Sequence, residues 1–498
     1  MKYDSIVVGG GHNGLVCAAY LGRAGLRVLV LEARERVGGM AELALTVGRL
    51  SPVVARELGL RGHGLRLVQP DVRLFAPQPD GRAITLWGDL PRTVKELADN
   101  PLVGERDAQA YATADERFRS MSAQLARLVH RPPGDQNPVA ALTLVPELPM
   151  SVRDVVEDWF TSEALRAAVA ARGLLYTGLG PRMPGTAGVL LTDAAQSGTG
   201  LAGQAVFARG GPGAVTDALA AAVKEKGGEI RTAARVARVR RTGTRAAGVT
   251  LEGGEEIDAP LVVSGLDPKT TLLDLLEPEV LGPHLSWRAS NIRQTGATAA
   301  VTFALRALPV FPAAYDDGRR MRGRILIAPS MRYLDVAMRP ARYGETAEEP
   351  LLEITIPTLI DPTTTPRSGA KHTMRVVVQD VAADADPGAV GDTVTRTIEQ
   401  YAPGFSDLIA QRAVTTPRAI EREYGARGGH PMHAEVALDQ WYEWRPLHGL
   451  GRYRMPLDGL YLCASGAHPG GGVTGLPGRL AAQQIVGDLK SGALKVAL

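Results

Sequence analysis

The chain has 498 residues, 45% of them hydrophobic and 22% charged, with a formal net charge of +3. That length allows two or three domains with sizeable cores in an ordinary globular composition. A near-neutral balance of scattered arginines argues against nucleic acid, which wants a clustered basic stripe, and no apolar run reaches the ~18 residues of a spanning helix.

Residues 4–40 read DSIVVGGGHNGLVCAAYLGRAGLRVLVLEARERVGGM. The β-branched run 5–8 predicts a buried parallel strand. Gly9, Gly11 and Gly14 follow in the spacing G-x-G-x-x-G. The first permits a tight turn, the second lets backbone approach a pyrophosphate, and the third lets the next helix pack on the strand. That helix, expected over 13–24, points its N-terminal N–H groups at the phosphate, and Gly25 ends it. A second strand over 27–31 delivers Glu32, an acid at the spacing that meets a ribose. The first strand begins almost at Met1, so no cleaved leader is expected. The protein reads as cytoplasmic, meeting a membrane at most peripherally.

Beyond Met40, a helix over 51–59 is expected, with Ser51 as N-cap and Pro52 in its first turn. Strands are expected over 65–68, 72–75 and 83–87, and helices over 92–100, 105–130 and 151–171, with a loop at 131–137. Residues 209–213 (RGGPG) open a helix over 214–226. Thr216 takes the third-glycine position there, so a second dinucleotide site, and with it a home for NAD(P)H, is not expected. Paired strands are expected over 235–240 and 246–251. A buried strand over 257–264, ending at Gly265, returns the chain to the nucleotide-binding sheet. Strands over 295–305, 324–328, 351–357 and 372–379 lack regular crossover helices, which suggests a mixed sheet. A helix is expected over 392–401.

The C-terminal part carries GGHPMHAEVALDQWYEWRP (428–446), a strand over 459–463, and ASGAHPGGGVTGLPGRLAAQQIV (464–486). The last run reads as strand, glycine turn and helix. A helix start near Val473 and Thr474 would offer N–H groups to an electron-rich ring edge. Gly470, Gly471 and Gly472 would let a flat ring lie against backbone. Cys17 and Cys463 form no C-x-x-C pair, which argues against a disulfide reductase and fits two buried small side chains in a reducing compartment.

GxGxxG at the start, Glu32 followed by Gly38-Gly39, VVSGLDP (262–268) and ASGAHPGGGVTGLPG resemble the phytoene-desaturase-like family of FAD oxidoreductases. The run 428–446 is similar to one branch of it, named for a pyridine nucleotide-disulfide oxidoreductase domain. The resemblance covers most of the chain. It implies an α/β fold: a GR2-type Rossmann FAD-binding domain (1–70, 205–270 and 425–498) interleaved with an α+β substrate or cap domain on a mixed sheet (71–204 and 271–424). It implies FAD held by Gly9, Gly11, His12, Asn13, Gly14, Glu32, Ala33, Arg34, Gly38, Gly39, Met40, Val236, Gly265, Ser465, Gly466, Gly472, Val473 and Thr474, with Val236 contacting the adenine. It also implies hydride removal from, or isomerisation of, unsaturated apolar substrates such as carotenoids. One departure is visible: after Gly39 the family continues through T-x-E-x-x-G-F-x-x-D-x-G. Here the shorter MAELALTVGRLSP lacks the aromatic and acidic parts.

Hydride transfer needs orientation and a dry pocket more than an acid–base triad. His433 and His468 are the candidates for proton handling, with His430 beside them. Gln440 and Asp439 are candidates to orient substrate, Trp441, Tyr442 and Trp444 to line an aromatic pocket, and Arg445 to pair with a phosphate or carboxylate. No metal site is expected. Partners would be a lipophilic small molecule, with a quinone or a membrane surface as further contacts, and oligomerisation is left open. The first reading is hydride removal from a lipophilic, isoprenoid-like substrate, with electrons passing to O2 or a quinone. A flavin amine oxidase, a redox-neutral isomerase or saturase, and a non-catalytic FAD-binding interaction protein are the rivals.

Overall fold

A computed structural model describes residues 2–134, 145–314, 318–366 and 368–494. The loop expected at 131–137 falls partly outside them. Among the described residues no helix is long and apolar enough to cross a membrane.

The first layer is a five-stranded sheet, ordered Leu460–Leu462, Leu261–Ser264, Ser5–Val8, Val28–Leu31 and Glu229–Arg231. Every neighbouring pair is parallel. Four of its strands, all but the edge strand Glu229–Arg231, are buried at every position, so alternation is absent and continuous apolar runs take its place. The helix His12–Arg23 packs between Leu476–Ser491 and Gly213–Glu225. Strand order reverses at Ser5–Val8, and the crevice for a ligand opens at the carboxyl ends there. An antiparallel ribbon of Val236–Thr242, Arg245–Leu251 and Glu256–Asp258 leads into the sheet.

The second layer is a seven-stranded sheet: Ile409–Thr415, Ala299–Leu305, His372–Val378, Leu352–Thr355, Arg324–Ile327, Val72–Pro77 and Ala83–Trp87. Only Arg324–Ile327 against Val72–Pro77 is parallel, so the mixed sheet is as the missing crossover helices suggest. Leu67–Val68 pairs with Phe207–Ala208 where the chain passes between layers.

Several expectations need correction. The helix over 151–171 is two, Val152–Trp159 and Glu163–Ala170. Buried Asp107 takes the N–H groups of Thr161 and Ser162 (2.8 and 2.6 Å), and Ser162 caps the second helix. The strand over 257–264 is interrupted before Leu261, where Pro260 has no N–H to give. Residues 271–290 belong with the first layer: Leu272, Leu275, Leu276, Leu281 and Ala289 lie in its core. The final helix starts at Leu476, after Gly475 in the left-handed region.

Candidate active site

A cavity of about 500 Å³ runs from the first glycine turn to the face of the mixed sheet. A Cβ on Gly14 would lie 2.2 Å from the Gly9 carbonyl oxygen, so this glycine is needed for the fold itself. A Cβ on Gly11 would meet nothing within 4 Å; the space beside it is cavity. Glu32 is buried, and its carboxylate accepts the N–H groups of Gly10 (2.7 Å) and Arg34 (2.9 Å). It therefore fixes both the glycine turn and the start of the next loop, with lone pairs left for a ribose.

Gly9, Gly11, His12, Asn13, Gly14, Glu32, Ala33, Arg34, Gly39, Met40, Val236, Gly265, Ser465, Gly472 and Val473 all line this cavity. Two hydrogen bonds join the ends of the chain across it: Asn13 Nδ2 donates to Ser465 Oγ (3.1 Å), and His12 Nε2 meets the Gly472 carbonyl (3.0 Å). Burial pushes the His12 imidazole down to about 4, so it is neutral and donates that bond.

Three expected contacts lie elsewhere. Gly38 sits behind the wall, its N–H donating to Gly10 (2.9 Å). Gly466 packs on the Pro268 ring, 2.4 Å from where a Cβ would stand. Thr474 is fully buried; its N–H turns back to Gly472 O (2.8 Å) and its hydroxyl accepts from Leu476 (3.1 Å). The glycine triplet also has another use. Gly470, Gly471 and Gly472 make room for the side chains of Arg445, Met432 and Arg49.

Of the proposed catalytic residues, His433 is on the wall. Its φ is +63°, its Nδ1 is buried without a hydrogen-bond partner, and burial, then Arg445, pushes it down to about 4. His430 stands behind it: its Nδ1 accepts from Met432 N (3.1 Å), so Nε2 carries the proton and donates to Tyr176 O (3.3 Å). His468 is off the cavity, against Leu128 O (3.2 Å) and edge-on to Tyr442 at 5.2 Å. Gln440 is spent on Arg293 and Glu435 backbone. Trp441 and Tyr442 pack in a small separate core with Met121 and Leu125. Asp439 pairs with Arg293 at the surface, and Trp444 is exposed. Arg445 is not on this cavity and has no carboxylate partner among the described residues; it donates to backbone carbonyls.

Sequence reasoning missed the far wall. Arg49, Arg172, Tyr176, Asp193 and Glu353 stand there as a charged cluster facing Met432 and His433. Arg172 donates to Asp193 (2.9 Å) and Glu353 (2.9 Å). Burial works against the Asp193 charge, but Arg172 and Arg49 hold it down to about 2. Tyr424, at the end of Pro417–Tyr424, lies under Arg34 at 4.5 Å and closes the ribose end. These residues come from separate elements with no shared motif; only Arg49 falls in a stretch already singled out, the shortened loop.

The residues fit a dinucleotide. Gly11 leaves space no protein atom takes, a helix N-terminus without a side-chain cap faces it, and Asn13 Oδ1 and His433 Nδ1 are buried and unpartnered.

Comparison with known proteins agrees. Residues 7–46 match the model of the NAD(P)-binding Rossmann-like domain, and residues 140–333 that of flavin containing amine oxidoreductase. Putrescine oxidase bound to putrescine shares the fold, with a TM-score of 0.64 at 16% identity over 99% of each chain. The protein is an FAD-dependent oxidoreductase of the amine-oxidase superfamily. Phytoene desaturase (lycopene-forming) of a Paracoccus species is 26% identical over 98% of each chain. Within the superfamily, the chain belongs to the family of pyridine nucleotide-disulfide oxidoreductase domain-containing protein 2. It is 31% identical to the rat protein of that name, over 98% of this chain and 94% of the rat one. Its own two cysteines are both buried and free.

Proposed function

We propose that the protein removes hydride from an unsaturated, mainly apolar substrate, passing electrons to O2 or a quinone. The supporting observation is the cavity itself. It joins the dinucleotide cradle to the mixed sheet, and the histidines on its wall, His12 and His433, are both neutral. FAD, when bound, supplies the hydride acceptor. Gly11 and the helix start behind it would hold the pyrophosphate, Glu32 the ribose, Val236 the adenine, and Gly472 and Val473 the ring.

Forming a double bond also releases a proton from the neighbouring carbon. His433 lines the cavity with a neutral ring whose Nδ1 has no hydrogen-bond partner, and we take it as the base that receives the proton. An amine oxidase with walls at Trp441 and Tyr442 is disfavoured, because both rings pack in a different core.

Anaerobic mixing with isoprenoid alkenes, acyl chains and amines, read by flavin absorbance, tests this. Bleaching by the alkenes is expected; bleaching by amines alone would remove the proposal. In His433→Leu, FAD content should be kept while the bleaching rate falls by ~10²-fold. Because His433 is already neutral, the wild-type rate should be flat from pH 6 to about 9 in its dependence on this group. A His433→Leu rate within about twofold of wild type would dismiss it as the base.

A further inference from the structure

The charged cluster on the far wall is out of balance. Arg172 is spent on Asp193 and on both oxygens of Glu353. Arg324 is buried and pairs with Glu353, its Nε donating to Gly203 O (2.8 Å). Arg49 Nε lies 3.1 Å from Asp193 Oδ1. Three guanidiniums thus share two carboxylates in one connected network. His12 and His433, both neutral, add no charge. An uncompensated charge in a buried site is costly unless an anion completes it.

Arg49 is the member open to the cavity. Its side chain keeps 21% of its exposure, and its guanidinium lies over Gly472, with Cζ 2.6 Å from where a Cβ would stand. Its other contacts are long: Nη1 reaches Gln196 Oε1 at 3.3 Å and Gly471 O at 3.5 Å. Tyr176 shares this wall. Its φ of +61° is unusual for a bulky residue and costs energy. The conformation is held by Gln379 on its N–H (3.2 Å), with Val436 (3.0 Å) and His430 (3.3 Å) on its carbonyl. The Tyr176 phenol stands on the same wall as Arg49, close enough to feel its charge.

We infer that the substrate carries a carboxylate, paired with the Arg49 guanidinium and the Tyr176 hydroxyl, on a chain whose unsaturated part runs along Ala300, Val377 and Met432. This deepens the function proposed above and rests on it. A guanidinium fork matches a carboxylate in geometry, and the pair gives Arg49 a partner of its own, where Asp193 already serves Arg172. An ester or alcohol of the same chain offers Arg49 no charge.

The test uses FAD-loaded enzyme with geranic acid, its methyl ester and geraniol. Binding is read anaerobically from the flavin absorbance change on rapid mixing, before reduction, and turnover from the bleaching that follows. The acid should bind at least about tenfold tighter than the ester. Arg49→Met should bring the two within about twofold, Arg49→Lys should keep part of the preference, and Tyr176→Phe should weaken acid binding alone. Equal binding of acid and ester by wild type overturns the inference. So does an Arg49→Met variant that keeps the preference while shifting the flavin reduction potential, since Arg49 would then serve the cofactor. If Arg49→Met does not retain FAD, the wild-type ratio with Arg49→Lys and Tyr176→Phe decides. Absence of bleaching with the binding preference intact would sink the hydride-removal proposal and leave the carboxylate site standing.

Discussion

Arg445→Met is expected to cost on the order of 5 kcal/mol of stability and to release FAD. The side chain is only 2% exposed. Its fork donates to the carbonyls of Ser465 (2.8 Å), Met432 (2.8 Å), Glu435 (3.1 Å) and Gln440 (3.2 Å). Burial alone pushes the guanidinium down to about 10, and no carboxylate among the described residues opposes it; the charge is solvated by peptide dipoles. Methionine would fill the volume and leave several buried carbonyls without donors, each costing ~1–3 kcal/mol. Those carbonyls belong to the segment that carries Met432 and His433 and to the turn at Ser465, so both cavity walls should loosen together. Arg445→Lys keeps the charge but not the fork, and should fall between. Urea unfolding of the three proteins checks this. A methionine variant within about 1 kcal/mol of wild type would show that water replaces the arginine.

The second large effect is acid instability. Burial holds His12 and His433 down to about 4, and His430 and His468 to about 3. Unfolded, each titrates near 6.5. Between these values the unfolded chain binds protons that the folded one refuses, so stability rises with pH there. It is fully present above about 6.5 and is lost as pH falls toward 4. At pH 5 each histidine withdraws roughly 2 kcal/mol, and the four together on the order of 8 kcal/mol. That is comparable with the whole stability of an ordinary domain, ~5–15 kcal/mol. Unfolding at pH 5 should therefore take up between three and four protons from these groups. Equal urea midpoints at pH 7 and pH 5 would contradict the neutral state of these four side chains in the folded protein.

The nucleotide-binding layer was legible because its signals are local. Residues 5–32 carry the strand, turn, helix, strand and acid in one continuous stretch, and the turn leaves no alternative at Gly14. The same reasoning failed where a role depends on distant partners. Nothing in GGG at 470–472 says that its glycines admit Arg445, Met432 and Arg49. Trp441 looks like a pocket wall until Met121 and Leu125 close around it. The helix Thr186–Gln196 is buried at every position, so it shows no amphipathic stripe, yet it delivers Asp193 to the charged cluster. Arg172, Asp193 and Glu353 meet only through tertiary packing, and each alone reads as a surface charge.

The most direct measurement compares FAD content and fold in wild type and Gly11→Val. Valine at Gly11 meets no protein atom within 4 Å at its Cβ, so circular dichroism and the thermal midpoint should stay close to those of FAD-free wild type. Its methyl groups would occupy the space for the pyrophosphate, so the variant should be colourless and fail to take up FAD at concentrations that saturate wild type. A folded Gly11→Val protein with wild-type FAD content, or a wild-type protein that cannot be reconstituted with FAD, would contradict this cavity as the cofactor site.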